Sequence, residues 1–246
     1  MIPALRQQTI LDMLKQSNTI LYVDDLSAKL NVSSSTLRRD LKELAENDQL
    51  TLLHGGGIKL IERNNTEQSI ISKLSINKEA KTLIAKKACE YIEDGDVIFI
   101  DPSSTTYQMI PFLANRNITV ITNGILHINH LVSNHIPSIM IGGDIKAATN
   151  SCIGPIAESD LKAFHFNKCF LGSNGFSLKT GITNHDINEC KIKKLAIEKA
   201  SRSFFLLDSS KYGVVTMVHI IDISTPTIIT DSRIPELKDL SNIVLA

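Results

Sequence analysis

Short apolar runs recur between residues 97 and 231, and they constrain the fold of this chain more than any other feature. They read VIFID (97–101), ITVITN (118–123), SIMIGG (138–143), KCFLGS (168–173), RSFFLLDSS (202–210) and TIITD (227–231). Their cores are β-branched or aromatic and apolar throughout, which suits strands buried on both faces, as in a parallel sheet. Helical stretches separate several of them, the first expected over Lys78 to Tyr91 and ending at the DGD turn (94–96). This alternation predicts an α/β domain with a mostly parallel sheet.

Polar residues collect after these runs: Asp101 with Ser103, Ser104, Thr105 and Thr106, then Thr122 and Asn123, Gly142 and Gly143, Gly172 to Asn174, and Asp208 to Lys211. In open α/β sheets, ligands bind outside the carboxyl ends of the strands. Turn chemistry alone explains Ser, Thr, Asn and Gly in any single loop. Five such loops on one sheet edge instead predict a ligand site. The PSSTT loop (102–106) runs into a helix, so its hydroxyls and amides can cradle a phosphate, with Lys211 as a point charge.

The first sixty residues follow a different pattern. Leu5, Ile10, Leu11 and Leu14 mark one helix, and Val23, Leu26 and Leu30 a second, with Asp24 and Asp25 in its first turn, where carboxylates complement the helix dipole. Asn31 tolerates the left-handed conformation that ends helices. A third helix follows at once over roughly Ser34 to Asn47, with Ser33 or Ser34 as its N-cap. Two helices joined by so short a turn describe a helix-turn-helix. Leu37, Leu41 and Leu44 share the packing face of the third helix, and Asp40 at its edge reads as the partner of a nearby cation. Ser35, Arg39 and Lys42 point the other way, with Thr36 and Arg38 on the flanks. Hydroxyls near a helix start, Ser34 included, can hold phosphate oxygens, and arginine can fork onto guanine. QLTLLHGGGIKL (49–60) reads as a β-hairpin, completing a winged helix whose wing can touch DNA through His54 and Lys59.

These readings divide the chain into a winged helix-turn-helix domain (1–60), a polar linker (61–76) and an α/β domain (77–246) that binds a ligand and oligomerises. With 26 basic and 26 acidic residues the formal net charge is zero, so any nucleic-acid binding rests on local clustering. No apolar run is long enough to span a bilayer, and no signal-peptide core opens the chain. The four cysteines form no CxxC pair and read as small buried residues in a reducing cytoplasm. His127, His130 and His135 share no complete metal-ligand spacing and are expected as surface or capping residues; no metal or cofactor is expected.

The segment LNVSSSTLRRDLKELAENDQLTLLHGGG (30–57) resembles the N-terminal domain of the DeoR family of bacterial transcriptional regulators, through its V-S-x-x-T-[IL]-R-R-D-L core (Val32 to Leu41) and H-G-G turn (His54 to Gly56). DPSSTT, TN, GG, FLGSNGFSLKTGITNHDINE and DSSKYG resemble, in order, that family's sugar-phosphate-sensing domain. The resemblance implies a ribose-5-phosphate-isomerase-like fold and a sequence-specific regulator, a repressor of a carbohydrate-utilisation operon. Its implied partners are operator double-stranded DNA, a phosphorylated sugar and further copies of itself. It also implies that Asp186 and Glu189, matching D-x-x-E, border the pocket, with His185 beside them. Two positions depart from the pattern: Leu52 stands where an arginine is common on the wing, and Ser103, after Pro102, where the phosphate loop carries glycine.

The alternative is a sugar-phosphate isomerase-like enzyme fused to a DNA-binding module. Asp101 or Glu189 would be its base and Lys211 would serve the carbonyl oxygen. Fold alone does not imply that activity, and a catalytic chain gains nothing from a winged helix. A second domain that only oligomerises would instead carry apolar patches at the strand ends.

Overall fold

Spaced apolar residues in the first sixty positions close three helices around one small core. The computed structural model describes residues 3–17, 20–46, 49–53, 55–60 and 69–246. The chain divides into two units, Met1–Arg63 and Asn64–Ala246. In the first, α1 (Pro3–Ser17) is followed by the short strand β1 (Leu21–Tyr22), then α2 (Val23–Leu30) and α3 (Ser34–Glu46). Asn31 ends α2 with φ 49° and ψ 51°, the left-handed cap. β2 (Leu50–Leu52) and β3 (Gly57–Leu60) form the expected hairpin, with Leu50 opposite Leu60 and Leu52 opposite Ile58. Its turn carries Gly55 and Gly56 at φ near +80°, a conformation that side chains with a Cβ disfavour. β1 adds a third, antiparallel strand on β3, which the sequence reading did not include. Ile10, Leu14, Leu26, Leu37, Leu41, Leu44 and Ile58 make the core.

The second unit begins with α4 (Ile70–Ser75), within the stretch expected as linker, and α5 (Lys78–Cys89). Next come β4 (Val97–Ile100), the one-turn helix α6 (Ser104–Tyr107), β5 (Thr119–Thr122), α7 (Ile125–Ser133) and β6 (Ser138–Met140). The hairpin β7 (Asp144–Lys146) and β8 (Ser151–Ile153) leads into α8 (Gly154–Lys162) and β9 (Phe166–Leu171). β10 (Gly175–Ser177) and β11 (Gly181–Asn184) precede α9 (Ile187–Lys199) and β12 (Ala200–Leu206). The chain ends with β13 (Val218–Ile221), β14 (Thr227–Thr230) and β15 (Ile243–Leu245).

Seven strands form one sheet in the order β15-β14-β12-β9-β4-β5-β6, every neighbouring pair parallel. All six expected strands are in it; the short β15 is an addition. Alternate residues of each strand feed two cores. Ile98, Ile100, Val120, Phe170 and Phe204 pack with Ile84, Ala88 and Leu131 of α5 and α7. Phe99, Ile121, Cys169, Leu171 and Phe205 pack with Leu161, Ile192 and Ala196 of α8 and α9. Burial on both faces explains why these strands read as unbroken apolar runs. β10, β11 and β13 form a separate antiparallel sheet. Among the described residues, no helix is long and apolar enough to cross a membrane.

The strand order fixes where a crevice can open. From β4 the chain winds outward through β5 and β6, then returns to the other side of β4 and continues through β9, β12, β14 and β15. The winding reverses between β4 and β9, the topological switch point of this sheet.

Candidate ligand cleft and nucleic-acid interface

The third helix owes its orientation to a buried ion pair. Arg6 of α1 forks onto Asp40 of α3, Nε to Oδ2 at 2.5 Å and Nη2 to Oδ1 at 3.0 Å, and both residues are buried. Asp40 is thus the cation partner its position predicts. Leu37, Leu41 and Leu44 lie on the same inward face, so Ser35, Arg38, Arg39 and Lys42 are exposed on the other. Arg38 and Arg39 make no hydrogen bond or ion pair among the described residues. Lys42 stands 3.9 Å from Glu46 in an exposed i,i+4 pair. Ser33 is the N-cap: its Oγ accepts from the Thr36 amide at 3.3 Å and lies 3.0 Å from Ser35 Oγ and 2.9 Å from Thr36 Oγ1. Ser34 is half-buried, with its hydroxyl 3.5 Å from that of Ser27 on α2. It therefore faces the helix-turn-helix joint, not the exposed side. His54 lies outside the described residues.

In the second unit a cleft opens beyond β4, β9 and β12, over the switch point. Pro102 to Thr105 line it from β4, Gly172 to Asn174 from β9, and Leu206, Asp208 and Lys211 from β12. Thr149, Asn184, Glu189 and Lys193 complete its wall, with Ile70 and Lys73 of α4. Of the expected ligand residues, the structure brings together Ser103, Ser104, Thr105, Glu189 and Lys211. Ser103 caps α6, its Oγ accepting from the Thr106 amide at 3.2 Å. The Lys211 side chain has no partner among the described residues.

Asp101 lies beneath the cleft, fully buried, and both of its carboxylate oxygens are held. Its Oδ2 accepts from Lys193 Nζ and from the Gly172 amide (2.8 Å), and its Oδ1 from the Ser103 amide (3.2 Å), with Thr106 Oγ1 also at 3.2 Å. Burial alone lowers the pKa of a lysine, but Asp101 and then Glu189 outweigh it and hold Lys193 above its ordinary value. Asp101 is thus an anchor for the loops, not a lining residue. Thr106 is fully buried too, 3.2 Å from His127 Nε2.

The ends of β5 and β6 do not reach the cleft, because the β7–β8 hairpin covers them. Asn123 Nδ2 donates to the Cys152 carbonyl and the Cys152 amide to the Asn123 carbonyl, each at 2.8 Å. Thr122 donates its hydroxyl to the Ile100 carbonyl at 2.7 Å. A Cβ on Gly143 would lie 2.6 Å from the Ile153 carbonyl oxygen, and one on Gly142 would approach Asp160 of α8. Five loops lie on one edge, but three of them open to the cleft. Asp186 also stands back from it. Its Oδ1 accepts from the Asn188 and Glu189 amides as the N-cap of α9, and Lys146 lies 3.3 Å from its Oδ2. Burial opposes ionisation, but these amides and Lys146 win, and its pKa is lowered.

Glu189, by contrast, faces the cleft while held by Thr149 Oγ1 (2.6 Å) and Asn184 Nδ2 (2.8 Å), with Lys146 Nζ at 3.2 Å. Lys193, Thr149, Asn184 and Lys73 were absent from the sequence reading of the site. The i,i+4 spacing of Glu189 and Lys193 on one helix face was the only local signal for Lys193. His127 corrects the expectation of surface histidines. It is buried beneath the 102–106 loop, and burial pushes its pKa down to about 4 despite the nearby Asp101. His185 is half-buried behind Asn174, whose Oδ1 accepts from its amide. All four cysteines are buried free thiols, and burial raises their pKa values, which keeps them neutral and unreactive. Among the described residues, no group of His, Cys, Asp and Glu could hold a metal ion.

Comparison with known proteins bears on both units. Residues 6–63 match the model of the DeoR-like helix-turn-helix domain, and residues 76–232 that of the DeoR C terminal sensor domain. The HTH-type transcriptional regulator FruR of Bacillus subtilis is 35% identical over 92% of this chain and 89% of its own. The lactose phosphotransferase system repressor of Lactococcus lactis is 37% identical over 84% and 82%. A putative aga operon transcriptional repressor of Escherichia coli O157:H7 is 30% identical over 94% and 87%. A solved ribose 5-phosphate isomerase from Methanocaldococcus jannaschii aligns over 55% of each chain at 19% identity and a TM-score of 0.42, too slight a likeness to carry an argument. The three curated relatives are named as transcriptional regulators or repressors and not as enzymes, and with both units matched in order the chain belongs to the DeoR family of DNA-binding transcriptional regulators.

Proposed function

We propose that this regulator represses a carbohydrate-use operon and that a phosphorylated sugar bound in the cleft alters its hold on operator DNA. The cleft carries the reading. Three hydroxyls (Ser103, Ser104, Thr105) and Lys211, which has no partner among the described residues, suit a phosphate, and the carboxylate of Glu189 suits sugar hydroxyls. Two relatives named as a lactose phosphotransferase system repressor and an aga operon repressor support a carbohydrate operon.

In this reading α3 enters the major groove. Arg38 and Arg39 contact bases or phosphates, and Ser35, Thr36 and Lys42 seat the helix on the backbone. One small module buries limited surface, so a dimer or higher oligomer would bind a repeated or palindromic site. By linkage, DNA changes sugar-phosphate affinity by the same factor as the sugar phosphate changes DNA affinity. Four buried, reduced cysteines fit a cytoplasmic setting.

A thermal-shift screen of sugar phosphates against their unphosphorylated sugars tests this reading on the intact protein. A ligand at one hundred times its dissociation constant adds about 2.7 kcal/mol of stability. Equal stabilisation by a sugar and its phosphate, or by neither, would overturn it.

A further inference from the structure

Beneath the 102–106 loop, the imidazole of His127 is held in one orientation. It lies in the first turn of α7, whose N-cap is Gly124. A Cβ on Gly124 would sit 2.8 Å from His127 Nδ1 and 3.1 Å from Pro102 Cβ, so the missing side chain lets ring and loop close together. The Tyr107 ring meets the imidazole edge-on, with centroids 5.4 Å apart. His127 Nε2 faces Thr106 Oγ1 at 3.2 Å, while Nδ1 is buried with no hydrogen-bond partner among the described residues.

The donors and acceptors around Thr106 assign the tautomer. Its hydroxyl is fully buried among three acceptors: the Asp101 carbonyl at 2.7 Å, the Ser103 carbonyl at 2.9 Å and Asp101 Oδ1 at 3.2 Å. The hydroxyl's own proton serves the nearest of these. Two side chains are then placed to donate to its oxygen, the Ser103 hydroxyl at 2.9 Å and His127 Nε2. Burial pushes the pKa of His127 down to about 4, so the ring is neutral at pH 7 and carries one proton. On Nδ1 that proton would be a buried donor without an acceptor. On Nε2 it meets Thr106 and leaves a bare lone pair on Nδ1.

The consequence reaches the cleft through Ser103. Its Oγ accepts from the Thr106 amide at 3.2 Å as the cap of α6, and the residue lines the cleft. Were Ser103 the one donor to the buried Thr106 oxygen, turning its proton outward would leave that oxygen unserved. With His127 donating instead, the Ser103 proton is free to face the cleft.

We infer that His127 is a positioning residue of the anion site: its Nε2–H serves Thr106 and so releases the Ser103 hydroxyl to donate to an anion in the cleft. This rests on the reading of the cleft as an anion site. It adds a residue that touches no ligand, on an element outside the cleft wall, yet sets how many hydroxyl protons the loop offers.

Calorimetric titration of inorganic phosphate into the full chain tests it, with thermal melts to show which variants fold. His127→Gln keeps an amide donor within reach of Thr106 and retains the affinity. His127→Leu fills similar space without a donor and loses affinity several-fold. Ser103→Ala weakens binding several-fold in the unaltered chain but adds little in His127→Leu, because both act through one hydroxyl. Full affinity in His127→Leu, equal loss in the Gln and Leu variants, or additive losses with Ser103→Ala would overturn the role of His127 while leaving the anion site standing. Nitrogen-15 NMR of the histidine-labelled chain reads the tautomer with no substitution, so a variant that fails to fold does not end the test. Nε2–H on His127 is expected, and Nδ1–H would sink the inference. No phosphate binding by the unaltered chain would remove the anion site, and this inference with it.

Discussion

Each unit buries one carboxylate of its working element against a cation from another helix, and the two pairs are put to different uses. Arg6–Asp40 joins α1 to α3 on the side away from Arg38 and Arg39, so it orients the exposed face without being part of it. Lys193–Asp101 joins α9 to the loop after β4, and Lys193 also lines the cleft, so one group both anchors and faces the site. The contrast follows from shape. A helix reads DNA with its convex outer face, so its anchor lies behind it. A crevice at a switch point is concave, and the groups that close it also look into it.

Breaking the second pair has the largest expected effect. Asp101→Ala leaves Lys193 buried without its anion and the Gly172 amide without an acceptor, and costs about 3–5 kcal/mol. Urea denaturation measures this. Asp40→Ala destabilises the first unit instead and lowers DNA affinity without altering phosphate binding. Equal phosphate loss in both variants would erase the contrast.

Acid tests the support beneath the cleft in another way. His127 has its pKa lowered to about 4 in the folded state, against 6.5 for a free histidine. Between these values the unfolded chain binds a proton that the folded one refuses. Stability is therefore unaffected by this group above pH 6.5 and falls as pH drops towards 4, by up to about 3 kcal/mol. His127→Gln should flatten that part of the urea-midpoint profile. An unchanged slope would remove His127 as its source.

The approach of β4 and β9 loops sharpens the picture further. A Cβ on Gly172 would sit 2.4 Å from Ser103 Cβ and Oγ, so Gly172→Ala should cost about 1–3 kcal/mol by overpacking. Ser103→Gly in the same chain should recover most of it, and thermal melts of the single and double variants decide. In the first unit, Arg39→Ala should leave stability within about 0.5 kcal/mol, because the residue is exposed. It should cost about 1–3 kcal/mol of operator affinity if it forks onto a guanine. A loss uniform across sequences, with a flatter salt slope, would assign it to phosphate, and binding titrations at several salt concentrations separate the two.

Much of the architecture was legible in local pattern. The spacing of Leu37, Leu41 and Leu44 faces α3 inward, and the unbroken runs at 97–101 and 202–210 become strands covered on both faces. Asn31 and the glycines after His54 mark turns because their backbone conformations favour them. The expected histidine surface failed because burial of His127 depends on α7 packing against the 102–106 loop, which no spacing of three or five residues encodes.

By itself, the sequence determined the two kinds of unit, the exposed face of α3 and the strand-end loops able to hold a ligand, since each depends on residues near one another in the chain. Only the tertiary structure decided which loops open. Strand order placed the cleft between β4 and β9, the β7–β8 hairpin closed the ends of β5 and β6, and Lys193 met Asp101 across 92 residues of chain. In the local stretch ECKIKKLAIEK (189–199), Lys193 is one charge among several on a helix. The physical reason is that burial and ion pairing are properties of the packed surroundings, and long-range strand order selects those surroundings.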